Sequence, residues 1–223
     1  MRGVFVTGTD TEVGKSVLAA AICAALVANG RSVAAFKPVV TGLDERPGPF
    51  GHDHDLLARA TGGRRPPEEV APYRFGPPAS PHLAAECAGA PIDPARLVSL
   101  ARDAAASAEL LVVEGVGGLL VPLTPGYLVR DFAVDLALPV LVAARPALGT
   151  INHTLLTLEA ARAGGLTVTG VVMTPWPDAP SAIERSNRAT VQRLGRVPAH
   201  GLPRTDPATL GEAGGALPLG DWL

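Results

Sequence analysis

The chain has 223 residues, 47% of them apolar and only 4% aromatic, so its core must be built mainly from Ala, Val and Leu. That length suits one α/β domain over residues 1–223, and the composition excludes a disordered or fibrous chain. A formal net charge of −2 gives no broad attraction to nucleic acid or to an anionic membrane, and no run approaches the ~20 apolar residues that span a bilayer.

Val4–Thr7 reads as a first strand. Its apolar run is too short for the core of a signal peptide, so a cytoplasmic protein is expected. A Gly-rich turn follows, and then Val17, Leu18, Ala21, Ile22 and Ala25 mark one stripe of a helix that ends at Asn29-Gly30. Val33–Phe36 is a second strand. Leu110–Val113, Val140–Ala143 and Val168–Val172 are three more, each apolar enough to be buried on both faces. Helices are predicted over Asp55–Ala60, Pro94–Ala108, Asn152–Ala163 and Ser181–Leu194. Gly62–Pro81 is an excursion within the domain, and the Gly- and Pro-rich stretch from Leu202 is assigned only loosely. Strands alternating with helices predict a mostly parallel sheet covered by helices on both faces, a P-loop NTPase-like α/β fold. Cys23 and Cys87 form no C-x-x-C pair, which argues against a disulfide framework or a structural zinc.

The strongest local signal is Gly8-Thr9-Asp10-Thr11-Glu12-Val13-Gly14-Lys15-Ser16, between the first strand and helix. Inward-pointing N–H groups and the positive helix end make such a loop an anion cradle. Lys15 is placed to reach the outer phosphates, and the Ser16 hydroxyl to ligate magnesium. Five residues separate Gly8 from Gly14-Lys15 where the common pattern has four. Lys37 follows the second strand, inside a turn shaped by Pro38 and Gly42. Leu110–Val113 runs into Glu114-Gly115-Val116-Gly117-Gly118, similar to a Walker B strand with Glu in place of Asp. Magnesium accepts either carboxylate.

His52-Asp53-His54-Asp55 offers metal-ligand types, but adjacent residues do not converge easily on one ion. A solvated turn with one Asp used for magnesium is the better reading. Ser80-Pro81-His82 has the form of an N-cap with Pro at the first helical position. Gly149-Thr150-Ile151-Asn152 opens another helix, whose free N–H groups suit a substrate carboxylate.

Together these motifs resemble the dethiobiotin synthetase family. Gly8–Ser16 is similar to its modified P-loop, Lys37–Val39 to its Lys-Pro-Val segment, and Ser80–His82 to its Ser-Pro-His helix start. Val113–Gly118 and Leu148–His153 resemble two further family segments, in the same order along the chain. The resemblance implies closure of a ureido ring on 7,8-diaminopelargonate, with CO2 or bicarbonate as carbon source and ATP or another nucleoside triphosphate as co-substrate. It implies Lys15 and Lys37 as catalytic charges, and Glu12, Val13, Gly14, Lys15, Ser16 and Val17 around the phosphates. Ser16, Asp55 and Glu114 would organise Mg2+, with Asp55 preferred over Asp53 because Asp55-Leu56-Leu57 opens the helix as the family's ligand does. Gly115, Val116 and Gly117 would approach the nucleotide. Thr11, Lys37, Thr41 and Ser80 would hold the substrate. Gly149, Thr150, Ile151 and Asn152 would grip its carboxylate across a homodimer. The family's base-reading Asn is replaced by Thr174, followed by Pro175, and its Pro-Trp-Leu segment by Pro203-Arg204-Thr205. Both departures touch base recognition rather than phosphate chemistry. A ParA/MinD-like ATP-dependent switch is the alternative, though such switches commonly carry an early second lysine where this chain has Thr9-Asp10-Thr11.

Overall fold

Val4 and Val6 point to one side of the first strand and Phe5 to the other, and each finds a separate apolar layer. That alternation follows from the two-residue period of a strand, and it requires helices on both faces of the sheet. A computed structural model describes all of residues 1–223. In chain order the elements are β1 (Gly3–Gly8), α1 (Lys15–Ala28), β2 (Val33–Phe36), β3 (Val39–Val40), α2 (Asp53–Ala60), α3 (Pro67–Val70), β4 (Tyr73–Arg74), α4 (Pro81–Cys87) and α5 (Pro94–Ala106). There follow β5 (Leu110–Glu114), β6 (Pro122–Thr124), β7 (Tyr127–Leu128), α6 (Val129–Leu136), β8 (Val140–Ala144), α7 (Thr150–Ala163), β9 (Val168–Trp176), α8 (Ala182–Gly195), β10 (Ala199–Pro203) and α9 (Leu210–Gly215).

Six strands form one parallel sheet in the order β10-β9-β8-β1-β5-β2. One face packs on α1, α2 and α9 through Leu18, Ile22, Leu57 and Ala213. The other packs on α5, α6, α7 and α8 through Leu97, Phe132, Leu158 and Val191. Phe132 lies 6.1 Å from Phe5 and 6.2 Å from Phe36, ring centre to ring centre, and joins the layer beneath the centre of the sheet. The carboxyl ends of β1, β2, β5 and β8 lie along one edge, where an open α/β sheet takes its ligands.

The five expected strands and the mostly parallel α/β architecture are present, with a sixth strand added. β10 escaped the sequence reading because Ala199-His200-Gly201-Leu202-Pro203 carries a Gly and a Pro, a composition found on edge strands. α6 was also missed, although Val129, Phe132, Ala133 and Leu136 form a buried helical stripe that marks it. α2 begins at Asp53 rather than Asp55, with consequences for the site. α7 begins two residues earlier than expected, at Thr150.

α1 is Ala-rich because it is enclosed on both sides. A Cβ added at Gly214 of α9 would stand 2.0 Å from the carbonyl oxygen of Ala21. Gly214→Ala is therefore expected to push the two helices apart and to cost about 1–3 kcal/mol, readable as a lower urea midpoint with an unchanged slope. A midpoint equal to that of the unmodified chain would show that α9 moves without loss.

Candidate functional site

The phosphate loop leaves β1 at Gly8 and enters α1 at Lys15. The Thr9 N–H donates to the carbonyl of Ala143 at 3.0 Å, tying the loop to β8. Glu12 and Gly14 take left-handed backbone, φ 56° and 85°. Gly14 is required twice over, since a Cβ there would also meet the Thr174 methyl at 2.5 Å. Lys15 is 6% exposed, and its Nζ donates to the carbonyl of Asp10 at 2.6 Å. Burial pulls its pKa down to about 8, helped by the Lys37 ammonium and opposed by Glu114, Asp53 and Asp10.

β2 and β5 are neighbours, so Lys37, the residue after β2, and Glu114, the last of β5, are delivered side by side. Lys37 Nζ donates to Glu114 Oε1 at 2.5 Å and to Asp53 Oδ2 at 2.6 Å. Burial opposes the charge on Lys37, but Asp53 and Glu114 outweigh it and hold the ammonium above its ordinary pKa. Burial raises the Glu114 carboxyl above the usual carboxylate range, and Lys37 only partly offsets it. Asp53 is held low because Lys37 overrides its own desolvation. Ser16 Oγ donates to Glu114 Oε1 at 2.7 Å. Glu114 Oε2 is buried and has no partner.

These groups face one cleft of about 850 Å³. From the expected residues it takes Thr11, Glu12, Gly14, Lys15, Ser16, Val17, Lys37, Thr41, Ser80, Glu114, Val116 and Gly117. The main-chain bond from Gly42 N–H to Pro77 O, 3.0 Å, extends the β3–β4 pairing and brings the Thr41 and Ser80 lips together. Val13 is buried beneath the loop, and Gly115 lies below the cleft floor against Phe5 and Val129. Glu45, Pro49 and Phe50 also line the cleft, in a loop that carries no motif signal.

Asp53, not Asp55, stands in the cleft. α2 starts two residues earlier than expected, and residues two apart on a helix differ by about 200° around its axis. Asp53 therefore meets Lys37 while Asp55 faces away, so the placement behind the preference for Asp55 is corrected. His54 also turns from the cleft and is buried, which lowers its pKa. No three His, Cys, Asp or Glu side chains converge as a protein-only metal cage. The two carboxylates and the Ser16 hydroxyl are hard oxygen donors, and Glu114 Oε2 is an unfilled buried acceptor among them. That set fits Mg2+, which takes one or two carboxylates and completes its shell with water and phosphate.

Gly149, Thr150, Ile151 and Asn152 lie outside this cleft, at the start of α7. Thr150 is buried, 3.3 Å from the Thr154 hydroxyl, whereas Gly149 and Asn152 are exposed and Leu148 is 93% exposed. Thr174 is buried behind Gly14. The Thr205 hydroxyl pairs with that of Thr209 at 2.9 Å, Pro203 ends β10, and Arg204 is exposed.

A family model described as "AAA domain" matches residues 2–204. The ATP-dependent dethiobiotin synthetase BioD of Anaeromyxobacter dehalogenans strain 2CP-C is 46% identical over 174 residues, covering 78% of this chain and 76% of the relative. That of Bacillus subtilis strain 168 is 38% identical over 202 residues, covering 91% of this chain and 87% of its own. Among solved structures, a ParA family ATPase from Chlorobium tepidum TLS superposes with TM-score 0.55 at 14% identity, covering 96% of this chain and 89% of that one. The MinC:MinD complex of Aquifex aeolicus gives 0.57 at 14% identity, with 96% and 86% covered. At such identity these neighbours establish the P-loop fold and nothing of function. A phosphate loop facing a buried Lys–Glu pair, on a chain 46% identical to a dethiobiotin synthetase over 78% of its length, has one reading: the chain belongs to the ATP-dependent dethiobiotin synthetase family, whose members are ligases.

Proposed function

We propose that this chain closes the ureido ring of dethiobiotin from 7,8-diaminopelargonate and CO2 or bicarbonate, using ATP with Mg2+. The observation that carries this reading is the Lys37 ammonium, buried between Asp53 and Glu114 and facing the same cleft as Lys15. One substrate amine adds to CO2 and loses a proton to give a carbamate, and a carbamate oxygen attacks the γ-phosphorus and displaces ADP. The second amine then closes the ring and displaces phosphate. Such transfer asks the protein mainly for positioning and for positive charge around the moving group.

Lys15 swings from the Asp10 carbonyl to the outer phosphates, and an anion beside it restores the basicity that burial removes. Lys37, held charged by its two carboxylates, faces the carbamate and the transferring phosphoryl. Thr11, Thr41 and Ser80 line the same cleft and offer hydroxyls to the substrate. Ser16, Asp53 and Glu114 would hold Mg2+, which neutralises phosphate charge when bound. The start of α7, where Leu148, Gly149 and Asn152 are exposed, supports a homodimer in which Gly149–Asn152 grips the carboxylate of substrate seated mainly in the other subunit. No helix is long and apolar enough to cross a membrane, and a cytoplasmic setting suits the substrates. Purified protein given diaminopelargonate, bicarbonate, ATP and magnesium should release dethiobiotin and phosphate in equal amounts. Phosphate release that is independent of the diamine would sink the proposal.

Weak selection among triphosphates is expected. Thr174 turns its methyl to Gly14, Pro175 has no N–H, and the Thr205 hydroxyl is engaged by Thr209. No side-chain amide stands there to pair with adenine as donor and acceptor. GTP, CTP and UTP should support turnover within about one to two orders of magnitude of ATP, since one lost hydrogen bond is worth about 1–3 kcal/mol. Turnover with all four at equal free magnesium checks this, and an ATP preference beyond about a thousandfold would contradict it.

A further inference from the structure

Arg145 directly follows β8, and its exposed side chain turns to the phosphate loop. Its Nη2 donates to the carbonyl of Thr11 at 3.2 Å and to that of Glu12 at 3.4 Å. The segment that carries it is held from two sides. Asn187 of α8, 6% exposed, donates through Nδ2 to the carbonyls of Pro146 at 2.9 Å and Ala147 at 3.2 Å. On the other side lies the bond from Thr9 N–H to Ala143 O. The guanidinium therefore stands on a fixed platform beside the loop.

In a trans peptide the C=O and the N–H of one unit point in opposite directions. Pinning the Thr11 oxygen toward Arg145 aims the Glu12 N–H the other way, and pinning the Glu12 oxygen does the same for Val13 N–H. Glu12 needs such a hold, because its φ of 56° lies in a region that residues with a Cβ seldom occupy. The preceding carbonyl, Asp10, is turned toward Lys15 Nζ. The Thr11 N–H is taken by Asp10 Oδ1 at 2.7 Å, so the Glu12 and Val13 amides are the ones left for an anion.

We propose that Arg145 is a positioning residue of the phosphate loop, holding the Thr11 and Glu12 carbonyls outward so that the Glu12 and Val13 amides meet a bound triphosphate. This deepens the nucleotide reading of the cleft and rests on it. Arg145 is not among the residues that line the cleft, so its loss should weaken all triphosphates alike.

The test is calorimetric binding of ATP, CTP and inorganic tripolyphosphate to the full chain and to its Arg145→Ala, Arg145→Lys and Lys15→Ala variants. Arg145→Ala should bind each ligand about tenfold more weakly, equivalent to about 1.4 kcal/mol. Nucleotide KM should rise in step, while diaminopelargonate KM at saturating nucleotide and the melting temperature stay put. Arg145→Lys should recover part of the loss, and added methylguanidinium should partly restore Arg145→Ala. Unchanged affinity in Arg145→Ala, with affinity lost in Lys15→Ala, would overturn the role of Arg145 and leave the cradle standing. Unchanged affinity in Lys15→Ala would overturn the cradle itself. Should Arg145→Ala fail to fold, a loss in Arg145→Gln that Arg145→Lys recovers supports the role, and wild-type affinity in both overturns it.

Discussion

Lys37→Ala is expected to lower turnover by about two to three orders of magnitude while the protein stays folded. Removing one positioned charge or donor from a transferring group costs on that scale. The loss should appear in kcat more than in nucleotide KM, because Lys15 and the loop amides remain to bind the triphosphate. Loss of one partner from a buried ion pair can cost about 3–5 kcal/mol of stability when the other charge stays unpaired. Here the cost should be smaller. Burial already disfavours the charge on Glu114 and raises its pKa, and the Asp53 side chain is 39% exposed and can turn to water. Steady-state kinetics with a parallel melting curve separate the two effects. Near-wild-type kcat at saturating substrate would remove Lys37 from the catalytic set. A melting temperature that falls together with activity would reduce it to a structural role.

Asp53→Asn should raise the magnesium concentration for half-maximal activity by about tenfold or more, and Asp55→Asn should change it little. Losing an anionic oxygen from a hard-cation site removes a charge-assisted contact, and even indirect contacts to bound metals are worth about 10–100-fold. Asp53 carries a second duty as the partner of Lys37, so its variant should also lose kcat at saturating magnesium. A magnesium titration at fixed free nucleotide distinguishes the roles. A lower kcat with an unchanged magnesium requirement would make Asp53 the counter-ion of Lys37 alone. A larger shift in Asp55→Asn than in Asp53→Asn would return the metal role to Asp55.

The difference between those two aspartates shows where sequence reading stops. Both are adjacent to a histidine and both stand just before Leu56-Leu57, so the local pattern does not distinguish them. Placing the start of α2 at Asp53 does, because about 200° of helical rotation then separates the two carboxylates. The start depends on how His52 and the preceding loop pack, a tertiary matter that local propensity does not set.

The phosphate loop and the two-sided burial of the strands were legible in the sequence, because both are local: contiguous residues set the turn, and the strand period sets the faces. Lys37 and Glu114 were legible singly, as polar residues ending apolar strands. Their contact at 2.5 Å, across 77 positions, follows from β2 and β5 being neighbours in the sheet, and no local pattern encodes strand order. Arg145 lies 134 positions from Thr11 and looks like an exposed strand-end arginine until β8 is placed beside β1. The chain alone therefore determined which chemistry-bearing residues exist and which local elements hold them. Only the tertiary structure decided which of them meet, because the register of a parallel sheet and the rotation of a helix are set by packing against distant segments.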